Sequence, residues 1–371
     1  MATNGGDSPV TAGGGLSSSD SPSVEAWEWD ALAESSRNVF GTRQWLSTWQ
    51  RHERERGEDV TLVTRRQDGT LAGLLVLSVT HRRPMVLRPR GPQPSTQDPV
   101  ICANEDLDWV LRDLAQQLAD RRDWHVLLLE DVPLGRPWGS GLRVVRSRQE
   151  ASRVIELNGR TWDQLLASSN RSFRTDLLRR GRRLQERYQV RYRRAEDATC
   201  LKADIDRLLQ LHWMRWGDEA NLLTPARAPF LHDFAAQALE LGWLELWFLE
   251  LDGRAVAAYI GFRFAGTEAA FATGADPAFR QDHVGIAMIF HMVRQAADDG
   301  VREFRFLSGN QPYKARMPNS DRPVERLAIS QGLVGQLALG ALDLKLRGLE
   351  LRHQLRTRIR PEAADVPAGQ E

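Results

Sequence analysis

The sequence contains the same order of elements twice, and this repeat constrains the fold more than any other feature. Each copy has a β-hairpin with an Asp-Gly turn, then an amphipathic helix, then a strand. The copies cover residues 60–79, 105–121 and 125–131, and residues 244–264, 285–298 and 302–307. Units of this size are longer than solenoid repeats, so the pattern predicts a duplicated α/β domain, with chance recurrence of common elements as the alternative.

A proline-rich segment separates the hairpin from the helix in the first copy. It contains Pro84, Pro89, Pro92, Pro94 and Pro99. Because proline has no backbone N–H to donate, the segment excludes a helix and predicts an edge strand around Met85–Leu87. The continuous apolar run Val126–Leu129 predicts a strand that is buried on both faces.

The duplication predicts a mixed α/β fold with two tandem domains and a C-terminal helix. We place a disordered tail at 1–24, an N-terminal domain at 25–150, a C-terminal domain at 151–330, and an amphipathic helix with its tail at 331–371. Gly and Ser dominate the N-terminal tail and bury little that offsets ordering entropy. The leucine-rich, basic C-terminal stretch packs on the domains, pairs with a second subunit in a homodimer, or lies on an anionic membrane surface.

Charge is balanced over the whole chain but not along it. The chain has 50 basic and 49 acidic residues, and its net charge of +1 excludes a uniformly basic protein. Between Arg160 and Arg194, however, eleven arginines face three acidic residues. Phe173, Leu177 and Leu184 recur there at helical spacing, which predicts an amphipathic helix with an arginine face. This face either binds a polyanion or is a solvated face paired with acidic residues elsewhere.

Several classes of protein lose support from what the sequence lacks. Cys102 and Cys200 are too few for a disulfide framework or a cysteine zinc site, and the spacing of His283 and His291 offers no metal geometry, so we expect no metal. No secretory signal is present, and the longest apolar run, Leu74–Leu77, is far too short for a membrane span. We therefore expect a soluble, cytoplasmic protein.

The second copy has a segment that suits a phosphate group. A strand ends near Gly274, an irregular loop follows, and Gly285-Ile286-Ala287 opens the helix. Free N–H groups and the helix dipole favour an anion at such a helix start, and Arg280 and His283 add positive charge. Neither a Walker motif nor a Gly-x-Gly-x-x-Gly motif occurs, which argues against an NTPase, a kinase or a Rossmann enzyme. A permissive glycine at an ordinary helix start is the alternative.

This strand, loop and helix resemble the GNAT acyltransferase superfamily, in which an Arg/Gln-x-x-Gly-x-Gly/Ala loop holds the pyrophosphate of an acyl-CoA. Gly285 and Ala287 match the end of that motif, whereas Asp282 stands where the motif has Arg or Gln. Arg280 and Gln281 lie just upstream and are candidates to replace it.

Over roughly Val39 to Arg326 the chain resembles the CelD-like group of GNAT acyltransferases, which have two GNAT-type domains in tandem. The matching motifs are Gln44-Trp45-Leu46, Arg171-Ser172-Phe173-Arg174, Leu211-His212-x3-Trp216, Gly274-x-Asp276-Pro277, Phe306-Leu307-Ser308-Gly309 and Gln311-Pro312-Tyr313-Lys314. The plan is also similar to that of Fem-type aminoacyl transferases, which take their acyl group from aminoacyl-tRNA.

The resemblance implies roles for particular residues. The cofactor-binding set would be Arg280, Gln281, Val284, Gly285, Ile286 and Ala287. In the catalytic set, Tyr313 would protonate the departing thiolate, Asp276 is a candidate base, and His212 is a further candidate catalytic residue. The substrate-binding set would be Lys314, Arg174 and Trp216. Each role has a plainer alternative: a packed tyrosine ring, a turn-opening Asp-Pro, a packing histidine and a solvated lysine.

Together these features predict an N-acyltransferase that moves an acyl group, acetyl being the first choice, from acyl-CoA to a small-molecule amine. The first alternative is a Fem-like transferase that uses aminoacyl-tRNA and grips RNA or another polyanion with Arg171–Arg194. The second is a binding module whose cofactor loop has degenerated.

Overall fold

The computed structural model describes residues 24–52, 59–91, 98–138, 142–217, 223–306 and 320–341. In the first half the elements are α1 (Ala26–Ser36), α2 (Arg43–His52), β1 (Asp59–Arg65), β2 (Leu71–Arg82), β3 (Met85–Pro89), β4 (Val100–Cys102), α3 (Leu107–Asp120), β5 (Val126–Pro133) and β6 (Arg143–Glu156). In the second half they are α4 (Trp162–Ser168), α5 (Arg171–Arg187), β7 (Val190–Arg194), α6 (Leu201–Trp216), α7 (Ala228–Glu240), β8 (Leu244–Leu251), β9 (Arg254–Phe264), β10 (Thr267–Ala275), α8 (Val284–Asp298), β11 (Glu303–Arg305) and β12 (Ser320–Ser330). Residues 332–341 form a further helix.

The strands of the described residues join one twelve-stranded sheet. Their order is β1-β2-β3-β5-β12-β6-β11-β10-β9-β8-β7, with β4 paired to β2. Both predicted hairpins are present as β1–β2 and β8–β9. In the second hairpin Asp252 has φ 50° and Gly253 has φ 80°, the left-handed geometry that makes Asp-Gly a favoured hairpin turn. The mixed α/β fold is therefore confirmed.

The two halves exchange a strand with each other. β6 follows the first half in sequence but pairs with β11 of the second half, and β12 follows the second half but pairs with β5 of the first. β6 and β12 also pair with each other along their whole lengths, from Ser320 opposite Val154 to Ser330 opposite Arg143. Each half thus receives its last strand from the other, which makes the sheet continuous.

Helices cover both faces of the sheet. On one face α1, α2, α6 and α7 share a single hydrophobic core across both halves. On the other face α3 packs on the first half and α8 on the second. Strand alternation sorts the residues between these cores, so that Leu74 and Val76 of β2 lie in the shared core and Leu75 and Leu77 lie under α3.

Trp45 of α2 lies at the centre of the shared core and is fully buried. Its ring lies 4.8 Å from that of Phe40, 4.9 Å from Phe230, 4.7 Å from Phe234 and 5.5 Å from Phe271, with edge-on geometry in each case. Because Phe230, Phe234 and Phe271 belong to the second half, this tryptophan joins the two halves through aromatic contacts that are stronger than area burial alone.

The prediction that Met85–Leu87 forms an edge strand is wrong. β3 pairs with β2 on one side and in parallel with β5 on the other, at Val86 and Leu87. The prolines permit this position because Pro84 precedes the strand and Pro89 ends it. In the strand of residues 126–129, Val126, Leu127 and Leu129 are buried and Leu128 is partly exposed, so the predicted burial on both faces is confirmed except at Leu128.

The prediction of one basic helix between Arg160 and Arg194 is also wrong at its C-terminal end. Helix α5 stops at Arg187, and the last arginines lie on β7. There Arg193 binds both Asp204 and Glu250, and Arg194 binds Glu245. The alternation of apolar and basic residues along Val190-Arg191-Tyr192-Arg193 is typical of a strand. The arginines of β7 form ion pairs with neighbouring carboxylates.

The predicted domain boundary between residues 150 and 151 stays a prediction, and β6 runs across that position.

The helix 332–341 packs closely on the first half. A side-chain carbon at Gly335 would collide with the carbonyl oxygen of His125. None of the helices in the described ranges combines the length and the apolar character that a membrane crossing requires.

Candidate functional site

The site begins where the pairing of strands β10 and β11 ends among the described residues. They pair in parallel from Thr267 opposite Glu303 to Ala269 opposite Arg305. β10 then continues to Ala275 while paired with β9 alone among the described strands. The helix α8 begins shortly after the end of β10.

Asp276 and Asp282 mark the two ends of the turn between β10 and α8. Asp276 is buried, accepts the N–H of Ala278 at 2.9 Å, and forms an ion pair with Arg254. Asp282 forms an ion pair with Arg187 of α5 and accepts the hydroxyl of Tyr188 at 3.2 Å. Both carboxylates hold the turn in place, and the second anchors the basic helix beside it.

Gly285, in the first turn of α8, lies against the guanidinium of Arg215 from α6. A side-chain carbon at Gly285 would lie 2.9 Å from Arg215 Nη1 and 3.7 Å from Ala275 Cβ. Arg215 also donates to Thr273 Oγ1 at 3.4 Å and stacks 4.8 Å from the Trp216 ring centre. A fixed cation therefore joins the positive end of a helix, which is the combination that favours an anion.

His212, one turn before Arg215 and Trp216, is buried at the same strand end. Its Nδ1 lies 2.8 Å from the carbonyl oxygen of Thr273, which also accepts Trp216 Nε1 at 3.4 Å. A carbonyl oxygen can only accept, so Nδ1 carries the proton and Nε2 has a free lone pair. Nε2 is buried and has no partner among the described residues. Burial lowers the pKa of His212, and the charge of Arg215 lowers it further, so the ring is neutral near pH 7.

Gly274 explains how α6 comes so close to β10. A side-chain carbon there would lie 2.5 Å from the backbone nitrogen of His212 and 2.6 Å from the carbonyl carbon of Leu211. These are backbone atoms that cannot move aside cheaply. The glycine of the Gly-x-Asp-Pro motif therefore lets the His212 end of α6 contact the strand.

The structure brings part of the predicted set together. Arg280 and Gln281 lie on the turn before α8, and Gly285 lies on its first turn. The side chain of Val284 is buried in the core beneath α8, and those of Ile286 and Ala287 are partly buried against it. The N–H groups of Ile286 and Ala287 both reach the His283 carbonyl at 3.0 Å.

Other predicted residues lie apart from this site or outside the described part of the chain. Arg174 is thirteen residues before Arg187 on α5, about 20 Å along the helix from the Asp282 contact. Tyr313 and Lys314 lie outside the described residues. Arg215 and Thr273 were missed. Their signal was the Leu211-His212-x3-Trp216 motif, which encloses Arg215, and the strand end at Gly274.

Comparisons with known proteins agree with this geometry. Residues 171–315 match the model of the acetyltransferase (GNAT) domain family. No protein of curated function matches the sequence. Within the described residues no cluster of three metal-ligating side chains occurs.

Solved structures share the fold across both halves. A structure of FemX superposes with a TM-score of 0.58 at 13% identity, covering 83% of this chain and 96% of that one. The C-terminal domain of a putative lysylphosphatidylglycerol synthetase from Agrobacterium fabrum gives 0.55 at 11% identity, covering 86% and 95%. L-PGS from Bacillus licheniformis gives 0.51 at 12% identity, covering 87% and 97%. At these identities the likeness shows the fold, and the predicted resemblance to the GNAT superfamily is confirmed.

Proposed function

We propose that this chain, whose residues 171–315 match the acetyltransferase (GNAT) domain family, transfers an acyl group from acyl-CoA to an amine. The donor pyrophosphate would lie at the start of α8, and the thioester would lie in the gap between β10 and β11. The observation that carries the proposal is the contact of the Arg215 guanidinium with Gly285, because it places a cation at the helix start where this fold opens.

The backbone at His283 supports a different alignment of the phosphate motif. His283 has φ 54°, the left-handed conformation that a first motif glycine would supply. With His283 in that position, Arg280 falls three residues earlier, where the motif has Arg or Gln, and Gly285 becomes its second glycine. Asp282 is then an ordinary intervening residue, and its ion pair with Arg187 no longer conflicts with the motif.

His212 is the side chain we propose as general base. Thr273 fixes its tautomer, and Nε2 keeps its lone pair in a buried position at the strand gap. An amine that attacks the thioester carbonyl loses its proton to Nε2 while the carbon–sulfur bond breaks and the thiolate leaves. The thiolate takes up a proton from an acid, for which Tyr313 stays the proposed residue.

Donor binding tests this assignment directly. Gly285→Glu places a carboxylate beside Arg215 and fills the space in front of the helix start, so we expect acetyl-CoA binding in calorimetry to be lost. Gly181→Glu is the matched control, because a side chain on exposed Gly181 of α5 would meet nothing within 4 Å. Equal acetyl-CoA affinity of Gly285→Glu and the wild-type protein would refute the site.

A second function, transfer from aminoacyl-tRNA, is favoured by helix α5. Four of its arginines have side chains without an ion pair among the described residues: Arg171, Arg174, Arg182 and Arg183. The exposed face they form is the one expected to contact phosphates. The Fem-type resemblance implies this donor, and the FemX-like fold is compatible with it.

Salt-dependent tRNA binding separates the two donors. If tRNA is the donor, the variant with Arg182→Gln and Arg183→Gln should bind tRNA more weakly, with a salt dependence reduced by about one unit of slope per lost phosphate contact. The control variant changes two exposed arginines of the α3 region, Arg112→Gln and Arg122→Gln. Equal losses in both variants, or no tRNA binding by the wild-type protein, would remove this alternative.

A further inference from the structure

A cavity of about 450 Å³ lies at the seam between the two halves, apart from the α8 site. It is bounded by the segment that leads into α3, by the end of β5, and by strands β6, β11 and β12. The volume is within the range of small-molecule pockets, roughly 300–1,000 Å³. Its lining is rich in charged groups, which an ordinary packing defect is not.

The duplication shows what this cavity corresponds to. In the second half, β10 pairs with β9 and leads into α8. In the first half two strands take the place of β10. β3 pairs with the end of β2, β4 pairs with its beginning, and β4 leads into α3. Val100 and Cys102 of β4 and Asp131 and Pro133 of β5 border the cavity. The cavity therefore occupies the first half's counterpart of the donor gap.

The turn into α3 is acidic, whereas the start of α8 has Arg215 beside it. The turn carries Glu105 and Asp106, of which Asp106 pairs with Arg66, and the charges of Asp98, Asp106 and Glu105 reinforce burial in raising the pKa of the Cys102 thiol. A ligand that enters on this side is expected to present a cation.

Asp98 is the carboxylate best placed to receive that cation. Its Oδ1 accepts the N–H of Val100 at 3.1 Å, and its other oxygen has no partner among the described residues. Its backbone is fixed as well, since Asn38 Nδ2 donates to the Asp98 carbonyl at 3.2 Å. Burial raises the pKa of Asp98 to about 6, although the charges of Arg136 and Arg305 oppose the shift.

The cavity also contains two guanidinium groups. Arg305 is buried and binds Glu303 at 2.9 Å, and Arg322 binds the same carboxylate at 3.0 Å and lies 3.8 Å from Glu156. The two guanidinium groups thus share the Glu303 carboxylate. Arg305 is also the last residue of β11 that pairs with β10, so the cavity adjoins the point where the donor gap opens.

We propose that this cavity binds a small zwitterion, with its ammonium group on Asp98 and its anionic group on Arg305 and Arg322. The assignment of this cavity as the acceptor site rests on the proposed function, whereas the binding of a zwitterion does not. A carboxylate with one oxygen unbonded among the described residues and a guanidinium pair in the same cavity are the electrostatic complement of such a molecule.

Linear amino acids of different lengths test the proposal without acyl-CoA. The probes are glycine, 4-aminobutyrate and 6-aminohexanoate, with hexylamine and hexanoate as singly charged controls, and the readouts are melting temperature and calorimetry. We expect a saturable rise in melting temperature for at least one zwitterion, larger than for either control. Asp98→Asn should weaken that binding about tenfold or more, since it removes a charge-assisted contact.

The variants are chosen so that folding is preserved. Asparagine keeps the oxygen that accepts the Val100 N–H, and Asp68→Asn is a matched control, because exposed Asp68 accepts the N–H of Thr70 at 2.9 Å in the same way. Arg322→Gln should weaken the zwitterion and leave hexylamine unaffected. Gly285→Glu should bind the zwitterion normally, which separates this site from donor binding. Absence of any zwitterion effect, or unchanged affinity in Asp98→Asn, would overturn the proposal.

Discussion

The Nδ1 atom of His212 lies 2.8 Å from the carbonyl oxygen of Thr273, and this one hydrogen bond sets the state of the ring. It fixes the proton on Nδ1, turns the Nε2 lone pair inward, and joins the end of α6 to the end of β10. A histidine held in this way is preorganised to accept a proton, because its tautomer is fixed and its ring has little conformational freedom.

Replacing His212 with asparagine should separate its structural role from its chemical role. The asparagine amide can still donate to Thr273, but Nε2 is lost, so we expect kcat to fall by about 10² to 10⁴ with a melting temperature near that of the wild-type protein. The measurement is the release of coenzyme A thiol from acetyl-CoA. His232→Asn, which removes a partly exposed ring bound to Asp206, is the control. An unchanged kcat would remove His212 from the mechanism.

The sequence was sufficient for the local parts of this site and insufficient for its contacts. The glycine pair, the helix start and the histidine motif are each short local patterns, so periodicity and resemblance could find them. The contact of Arg215 with Gly285 joins residues seventy positions apart, and the motif that encloses Arg215 does not indicate that contact. The positive φ at His283 could not be predicted from the sequence either, because a histidine does not indicate left-handed backbone as a glycine does.

The fold shows the same division between local and long-range information. Hairpins, helices and the duplication follow from turn signals and apolar periodicity, which act over a few residues. The exchange of β6 and β12 depends on which half accepts each strand, and no local pattern encodes it. The misassigned edge strand at Met85–Leu87 has the same origin, since its partner β5 lies about forty residues away.

The close approach of α6 to β10 predicts opposite effects for two glycine substitutions. Gly274→Ala places a carbon 2.5 Å from the backbone nitrogen of His212, so we expect the free energy of unfolding to fall by about 1–3 kcal/mol. Gly181→Ala lies on an exposed helix with open space, so we expect a gain of about 0.5–1 kcal/mol. Urea denaturation of the two variants measures both. A neutral Gly274→Ala would show that α6 can shift away from the strand.

A buried carboxylate beside the second-half core predicts a specific dependence of stability on pH. Glu268 is fully buried, accepts the Tyr259 hydroxyl at 2.9 Å and binds Arg263 at 2.9 Å. Burial raises the pKa of Glu268 to about 7 from its ordinary value of 4.5, against the charge of Arg263. Between these values the folded protein holds a proton that the unfolded chain releases. Its contribution to stability therefore falls as pH rises from about 4.5 to 7 and is constant above.

The variant Glu268→Gln isolates that contribution. Burial also lowers the pKa of His291 to about 4, which gives the opposite pH dependence, so the quantity to compare is the difference between wild type and variant. Urea unfolding at pH 5, 6, 7 and 8 should show the wild-type protein losing stability relative to Glu268→Gln as the pH rises. Glu186→Gln on the exposed face of α5 should run parallel to the wild type. A difference that does not change with pH would contradict the raised pKa.

The shared core around Trp45 predicts that the two halves unfold together. Trp45→Ala removes the ring that five phenylalanine rings contact, so we expect a loss of about 3–5 kcal/mol. Because the exchanged strands β6 and β12 also bind each half to the other, the wild-type protein should show one urea transition with the same midpoint by tryptophan fluorescence and by far-ultraviolet circular dichroism. Trp27→Ala, at an exposed position on α1, is the control and should leave the midpoint almost unchanged. Two separate transitions, or a loss in Trp45→Ala confined to one of them, would show that the halves are energetically independent.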